Sequence, residues 1–268
     1  MAWALVTGAS VGLGAEFARQ IAADGTNVVL VSRDAEALGV VAREVEALGV
    51  EAEVFAADLS RRPDVARVIQ RLVDADRPVD LLVNNAGFGF RRSFLESSEA
   101  ELDDSLEVMV RAVMVLTQAA AEAMTLRGRG TIINVSSIAA VLSTGTYSAH
   151  KAWVSSFTEG LAGELRGTGV TATVAYPGLV RTQFHQRAHL DFGALPSAVW
   201  LDSRAVVRAT LRAARRGRVN VTPSVRYGLV MAIARVLPRR WILRAARGRV
   251  RPHVTDATGT GRASTLSA

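Results

Sequence analysis

A phenol and an ammonium four residues apart, in Tyr147-Ser148-Ala149-His150-Lys151, are the side chains of this sequence best suited to moving a proton. On a helix that spacing sets both on one face, one turn apart. A close cation favours the phenolate and so draws a tyrosine down from its ordinary value near 10, toward the range in which it works as a general acid or base. A half-buried tyrosine and a surface lysine on an amphipathic helix would give the same pattern. Composition weighs against that reading, because Lys151 is the only lysine among thirty-two basic residues. In so arginine-rich a chain, a lone ammonium marks a place where a compact, multi-donor cation fits and a planar guanidinium does not.

A second constellation, Thr7-Gly8-Ala9-Ser10-Val11-Gly12-Leu13-Gly14, leaves an apolar strand pattern and opens a helical one. Glycines there allow a tight turn and let backbone N–H groups approach a diphosphate at a helix N-terminus. The alternative is a strand-to-helix loop with incidental glycines. After the next strand stands Ser32-Arg33, where an NAD enzyme would present a carboxylate to the ribose 2′-hydroxyl. A guanidinium at that place grips a 2′-phosphate in a bidentate fork, so the sequence favours NADP(H) over NAD(H). Asp34, next in line, keeps a plain surface role for Arg33 open.

These residues need a scaffold, and the sequence describes one. Short apolar, β-branched runs at 2–6, 27–31, 53–56, 81–84, 131–135, 171–176 and 219–221 alternate with helical patterns at 12–23, 34–48, 63–74, 101–127, 146–166 and 203–216. That alternation predicts an α/β fold, a doubly wound Rossmann-type parallel sheet of about seven strands with helices on both faces. A single domain over 1–222 is expected, with a substrate segment at about 183–200, an amphipathic basic extension at 223–251 and a disordered tail at 252–268, rich in Thr, Ser, Ala and Gly. The absence of cysteine removes disulfides, thiolate nucleophiles and cysteine-based metal sites, leaving oxygen, nitrogen or a cofactor to do the chemistry. The start of the chain lacks a basic leader pattern, and the longest apolar stretch, 227–243, is broken by Arg235, Pro238, Arg239 and Arg240. A cytoplasmic protein is the expectation. From Leu201 onward fifteen arginines face only Asp202 and Asp256, so the net charge of +7 belongs to the C-terminal part. No nucleic-acid module accompanies it, and nucleic acid is not an expected partner.

Taken in order and spacing, Thr7 to Gly14, Asn84-Asn85-Ala86-Gly87, Ser136-Ser137, Tyr147 to Lys151 and Pro177-Gly178 resemble the short-chain dehydrogenase/reductase (SDR) superfamily over about residues 2–222. The resemblance implies an NAD(P)-dependent oxidoreductase acting on CH–OH or C=O groups, a homodimer or homotetramer, with hydride exchanged at the nicotinamide. It implies Ser137, Tyr147 and Lys151 as catalytic residues, with Ser136 the alternative to Ser137. The implied nucleotide-binding set is Gly8, Ser10, Gly12, Leu13, Gly14, Arg33, Asp58, Leu59, Asn85, Ala86, Gly87, Tyr147, Lys151, Pro177, Gly178, Val180 and Thr182. One position departs from the family pattern: Met109 stands where an asparagine, on a distorted helix, joins the lysine to a proton relay. A thioether cannot donate a hydrogen bond and accepts only weakly. The roles of the two serines and of Asn84 and Asn85 also have a plainer reading, as caps and turn formers.

His185 and His189 stand four apart, as metal ligands on one helical face do, but the chemistry above requires no metal and none is expected. Residues 183–200, with Phe184, Leu190, Phe192, Leu195 and Trp200, suit an apolar wall for a small hydrophobic ketone or alcohol, 3-oxoacyl or steroid-like. The basic extension is expected to pack on protein first, and on an anionic membrane surface as the second choice. Three functions are therefore carried forward: an NADPH-dependent carbonyl reductase, a nucleotide-binding protein with impaired turnover, and a membrane-peripheral, lipid-associated reductase.

Overall fold

The computed structural model describes residues 2–89, 93–142, 145–180, 196, 199–238, 240, 241 and 244. Seven parallel strands form one sheet in the order β3-β2-β1-β4-β5-β6-β7: β1 (Trp3–Thr7), β2 (Asn27–Ser32), β3 (Ala52–Ala56), β4 (Val79–Asn84), β5 (Gly130–Val135), β6 (Val170–Ala175) and β7 (Asn220–Val221). The strand order reverses between β1 and β4, which opens a crevice at the carboxyl ends of those strands.

Both faces of the sheet are covered because the apolar side chains alternate along each strand. Ala4 and Val6 of β1, with Val28 and Leu30 of β2, pack against α1 (Gly12–Ala23), α2 (Ala35–Glu46) and α7 (Ser203–Arg215). Trp3 and Leu5, with Val29 and Val31, face α3 (Arg62–Leu72), α5 (Ala112–Arg127) and α6 (Thr146–Glu164). Near-continuous apolar runs in these strands follow from burial on both faces. At the edge of the second layer Arg71, itself buried, bonds Glu53 at 2.7 Å and lies over the Trp3 ring at 4.9 Å.

The helix expected at 101–127 is divided. α4 (Glu99–Leu106) runs into a π turn at Glu107–Arg111, and α5 follows. Together Glu99–Arg127 is long and apolar enough to cross a membrane by length and composition, which corrects the expectation that 227–243 is the longest such stretch. Its inner face, Leu116, Ala120 and Met124, is buried against the sheet, the habit of a core helix. The extension contributes α8 (Val225–Val236), beyond the last strand. Most of 183–200 and all of 252–268 lie outside the described residues.

Candidate active site

The glycine loop is held in shape from two sides. Gly8 and Gly12 adopt φ of +66° and +61°, the left-handed region that side chains resist. At Gly14 a Cβ would lie 2.0 Å from the Gly8 carbonyl oxygen, so the first turn of α1 can approach β1 only without a side chain. Thr7 Oγ1 accepts from the N–H groups of Asn85 and Ala86, and Asn85 Nδ2 donates to the carbonyls of Thr7 and Gly8. The Asn-Ala-Gly stretch after β4 is thereby laced to the loop after β1. The start of α1 has no side-chain cap and no carboxylate in its first turn, leaving its N–H groups and dipole for an anion. A dinucleotide diphosphate fits this cradle.

At the end of β2, Asp34 spends its carboxylate as the N-cap of α2, accepting from Ala37 N at 2.9 Å, while Arg33 stands exposed beside it. Asp58 follows β3 and accepts from both the N–H and the hydroxyl of Ser60, with Leu59 buried behind it. Ser10 and Leu13 lie half-buried along the cradle. Pro177 reaches the catalytic side of the crevice, its carbonyl accepting from Ile138 N, and Val180 bridges to Leu201. Thr182 lies outside the described residues, as do His185 and His189. Among the described residues there is no cluster of potential metal ligands.

Tyr147 and Lys151 share the inner face of α6. The ammonium lies 5.8 Å from the centre of the phenol ring and donates to the Val135 carbonyl at 2.8 Å. Ser137, which caps the short 3₁₀ turn Ile138–Val141, hydrogen-bonds Tyr147. Ser136 instead points into the protein, donating to the Lys151 carbonyl at 2.7 Å and pairing with Ser155. The geometry thus brings Ser137, not Ser136, to the phenol. Burial pushes the Tyr147 phenol up to about 12, opposed by the hydrogen bond with Ser137. The net shift runs upward, against the lowering expected from the neighbouring Lys151. Desolvation pushes Lys151 itself down to about 8. Burial, and then the charge of Lys151, lower neighbouring His150 from its ordinary value.

Met109 occupies the π turn and is fully buried. Its Cγ and Sδ lie 3.5 Å from the point where a Gly87 side chain would begin, and so does Lys151 Nζ. The thioether and the ammonium therefore both border Gly87. The widened turn, which the family pairs with asparagine, is present with methionine in its place.

Sequence reasoning missed a buried polar chain behind the site. Asn84 Nδ2 donates to Thr117 and to Asn134 Oδ1, and Asn134 Nδ2 donates to Thr158 on α6. It ties β4, α5, β5 and α6 together and so fixes the helix that carries Tyr147 and Lys151. An Asn84 at a strand end reads as a turn former, and only the register of Asn84 with Asn134 reveals the pair.

Fold and site together define a Rossmann oxidoreductase. Residues 2–191 match the family model of the short chain dehydrogenases, and the chain belongs to that family of NAD(P)-dependent oxidoreductases. It is 36% identical over 179 residues to the ketoacyl reductase HetN of Nostoc, covering 66% of this chain and 62% of that protein, somewhat under two thirds of its length. Among solved structures, a short-chain dehydrogenase from Sphingobium yanoikuyae in complex with NADPH is similar with a TM-score of 0.78, 29% identity, and coverage of 94% of this chain and 97% of that one. The bulky-bulky ketone specific alcohol dehydrogenase from Comamonas testosteroni is similar with a TM-score of 0.74, 29% identity, and coverage of 94% and 95%.

Proposed function

We propose that this protein is an NADPH-dependent reductase of a hydrophobic ketone, with Tyr147 as the proton donor. The observation that carries this reading is the convergence of Ser137, Tyr147 and Lys151 at the crevice that the glycine loop borders. When bound, the nicotinamide supplies the hydride. Tyr147, held protonated by burial, gives its proton to the carbonyl oxygen, and Ser137 orients that oxygen. A phenol pushed up to about 12 stays protonated at neutral pH, the state in which it can hand a proton to a carbonyl oxygen. Lys151 holds the nicotinamide ribose, and Gly8, Ser10, Gly12, Leu13 and Gly14 hold the diphosphate. Asp58 and Leu59 would meet the adenine, Asn85, Ala86 and Gly87 its ribose, and Pro177, Gly178 and Val180 the carboxamide.

The preference for NADPH rests on Arg33, exposed at the end of β2 with Asp34 already engaged. The similar Sphingobium structure holds NADPH, and the similar Comamonas enzyme is specific for bulky-bulky ketones, which supports the cofactor and the substrate class. The test is NADPH consumption across a panel of bulky and long-chain ketones. Tyr147→Phe is expected to reduce kcat by a factor on the order of 10² to 10⁴ while NADPH still binds. Arg33→Asp is expected to raise the KM for NADPH and not that for NADH. An undiminished Tyr147→Phe would remove the proposed proton donor.

Met109 favours a second reading, a nucleotide-binding protein with impaired turnover, because a weak acceptor, bordering the same glycine as Lys151, fills the π turn. Met109→Asn separates the two. A rise in kcat of about tenfold or more, with a reduced solvent isotope effect, supports the impaired relay. An unchanged rate supports the working reductase.

A further inference from the structure

α8 wears its apolar residues on the outside. At 100° per residue, its exposed positions Val225, Arg226, Leu229, Val230, Ala232, Ile233, Val236 and Leu237 span an arc of roughly 160°. Arg226 is the one charged residue in that arc. Val225, Leu229 and Val236 are 91%, 62% and 83% exposed, and Trp241 beyond the helix is 56% exposed. The opposite side of the helix already has its partners. Met231 is buried against Val174 and Tyr176, with Ile138, Ala140 and Val141 around them. The Tyr227 ring lies where a Gly178 side chain would be, and its hydroxyl donates to the Val199 carbonyl at 2.8 Å. Among the described residues, packing on the enzyme body therefore uses the inner side and leaves the outer one uncovered.

Charge identifies the occupant. From Pro223 to Arg251 the sequence holds eight arginines and no carboxylate, and Arg240 and Arg244 are exposed just past the helix. A second copy meeting this face about a two-fold axis would bring two such cationic segments together, a repulsive contact. Residues 252–268 offer Val254 and Leu266 as their large aliphatic side chains, too little to cover the stripe. An anionic bilayer satisfies both features, taking the apolar arc and Trp241 into the headgroup boundary while lipid phosphates neutralise the arginines. We infer that α8, with Arg240 and Arg244 past its end, docks this protein on an anionic lipid surface, with the loops around Ser137 and Gly178 directly beneath the docked helix.

The experiment is co-sedimentation of the full chain with vesicles of pure phosphatidylcholine, and with vesicles in which half of it is replaced by phosphatidylglycerol, at low and high salt. Binding to the anionic vesicles, weakened by salt and absent on phosphatidylcholine, is expected. Leu229→Glu with Val236→Glu, both on the outer arc, should reduce partitioning by a factor on the order of ten or more, with circular dichroism and NADPH affinity unchanged. Arg240→Glu with Arg244→Glu should remove the preference for anionic lipid. The inference is overturned if the chain stays in the supernatant, or if Leu229→Glu with Val236→Glu sediments like the unmodified chain. It is equally overturned if that pair dissolves a concentration-dependent dimer and no vesicle binding is seen, which would give the face to a second copy. None of these outcomes depends on ketone turnover.

Discussion

Lys151 is 5% exposed, carries the chain's only side-chain amine, and has been pushed down to about 8 by desolvation. Between pH about 8 and its ordinary value near 10.5, the unfolded chain therefore binds a proton that the folded protein has released. Stability rises with pH across that window and is lost as pH falls back through 8. Above about 10 the sign reverses, since Tyr147 keeps its proton to about 12 when folded and surrenders it near 10 when unfolded. With no cysteine and no second lysine, few other groups confuse the reading. The unfolding free energy of the cofactor-free protein, taken from urea titrations, should thus climb from pH 7.5 to a maximum near 10, by up to roughly 3 kcal/mol at about 1.4 kcal/mol per pKa unit. Lys151→Met should flatten the climb, and a wild-type curve that is flat between pH 8 and 10 would contradict the burial described for the amine. At this scale the sequence was informative about type and spacing: the four-residue interval of Tyr147 and Lys151 and the solitary lysine were both visible. The direction of the tyrosine shift was not, because it depends on how dry the pocket is, which no local pattern records.

At the scale of elements, the alternation of strands and helices was legible to within a residue or two, as for 27–31 against Asn27–Ser32 and 131–135 against Gly130–Val135. The π turn was not. Met109, Ala112, Val113, Leu116, Ala120 and Met124 keep a cadence of about four residues, which an unbroken α-helix satisfies as well as one with a widened turn. Helix α8 was legible only as an amphipathic stretch, since its apolar side faces outward and periodicity alone does not say which side meets the protein. The cradle after β1 yields a direct test. Gly14→Ala places a methyl 2.0 Å from the Gly8 carbonyl oxygen, so α1 must retreat from the loop. We expect NADPH affinity to fall at least about tenfold and stability to drop by about 1–3 kcal/mol, measured by fluorescence titration and by denaturant midpoint. Unaltered affinity would mean that the diphosphate does not sit where α1 begins.

Across the whole molecule, two apolar layers on one sheet hold β1, β2, β4 and β5 from both sides, whereas β7 meets β6 through only the pairs Val174–Asn220 and Ala175–Val221. Hydrogen exchange at low denaturant should therefore find amides of 220–237 exchanging well before those of β1, β4 and β5, and equal protection throughout would contradict this ranking. The charge asymmetry follows the same division, with the basic residues gathered beyond Leu201 and the acidic excess in the part that holds the nucleotide cradle. Tyr227 packs on Gly178 from α8, so the weakly joined edge and the loop after β6 touch directly. Loosening of that edge is therefore expected to be felt first at the Gly178 end of the crevice, while the central strands, held from both sides, keep their places.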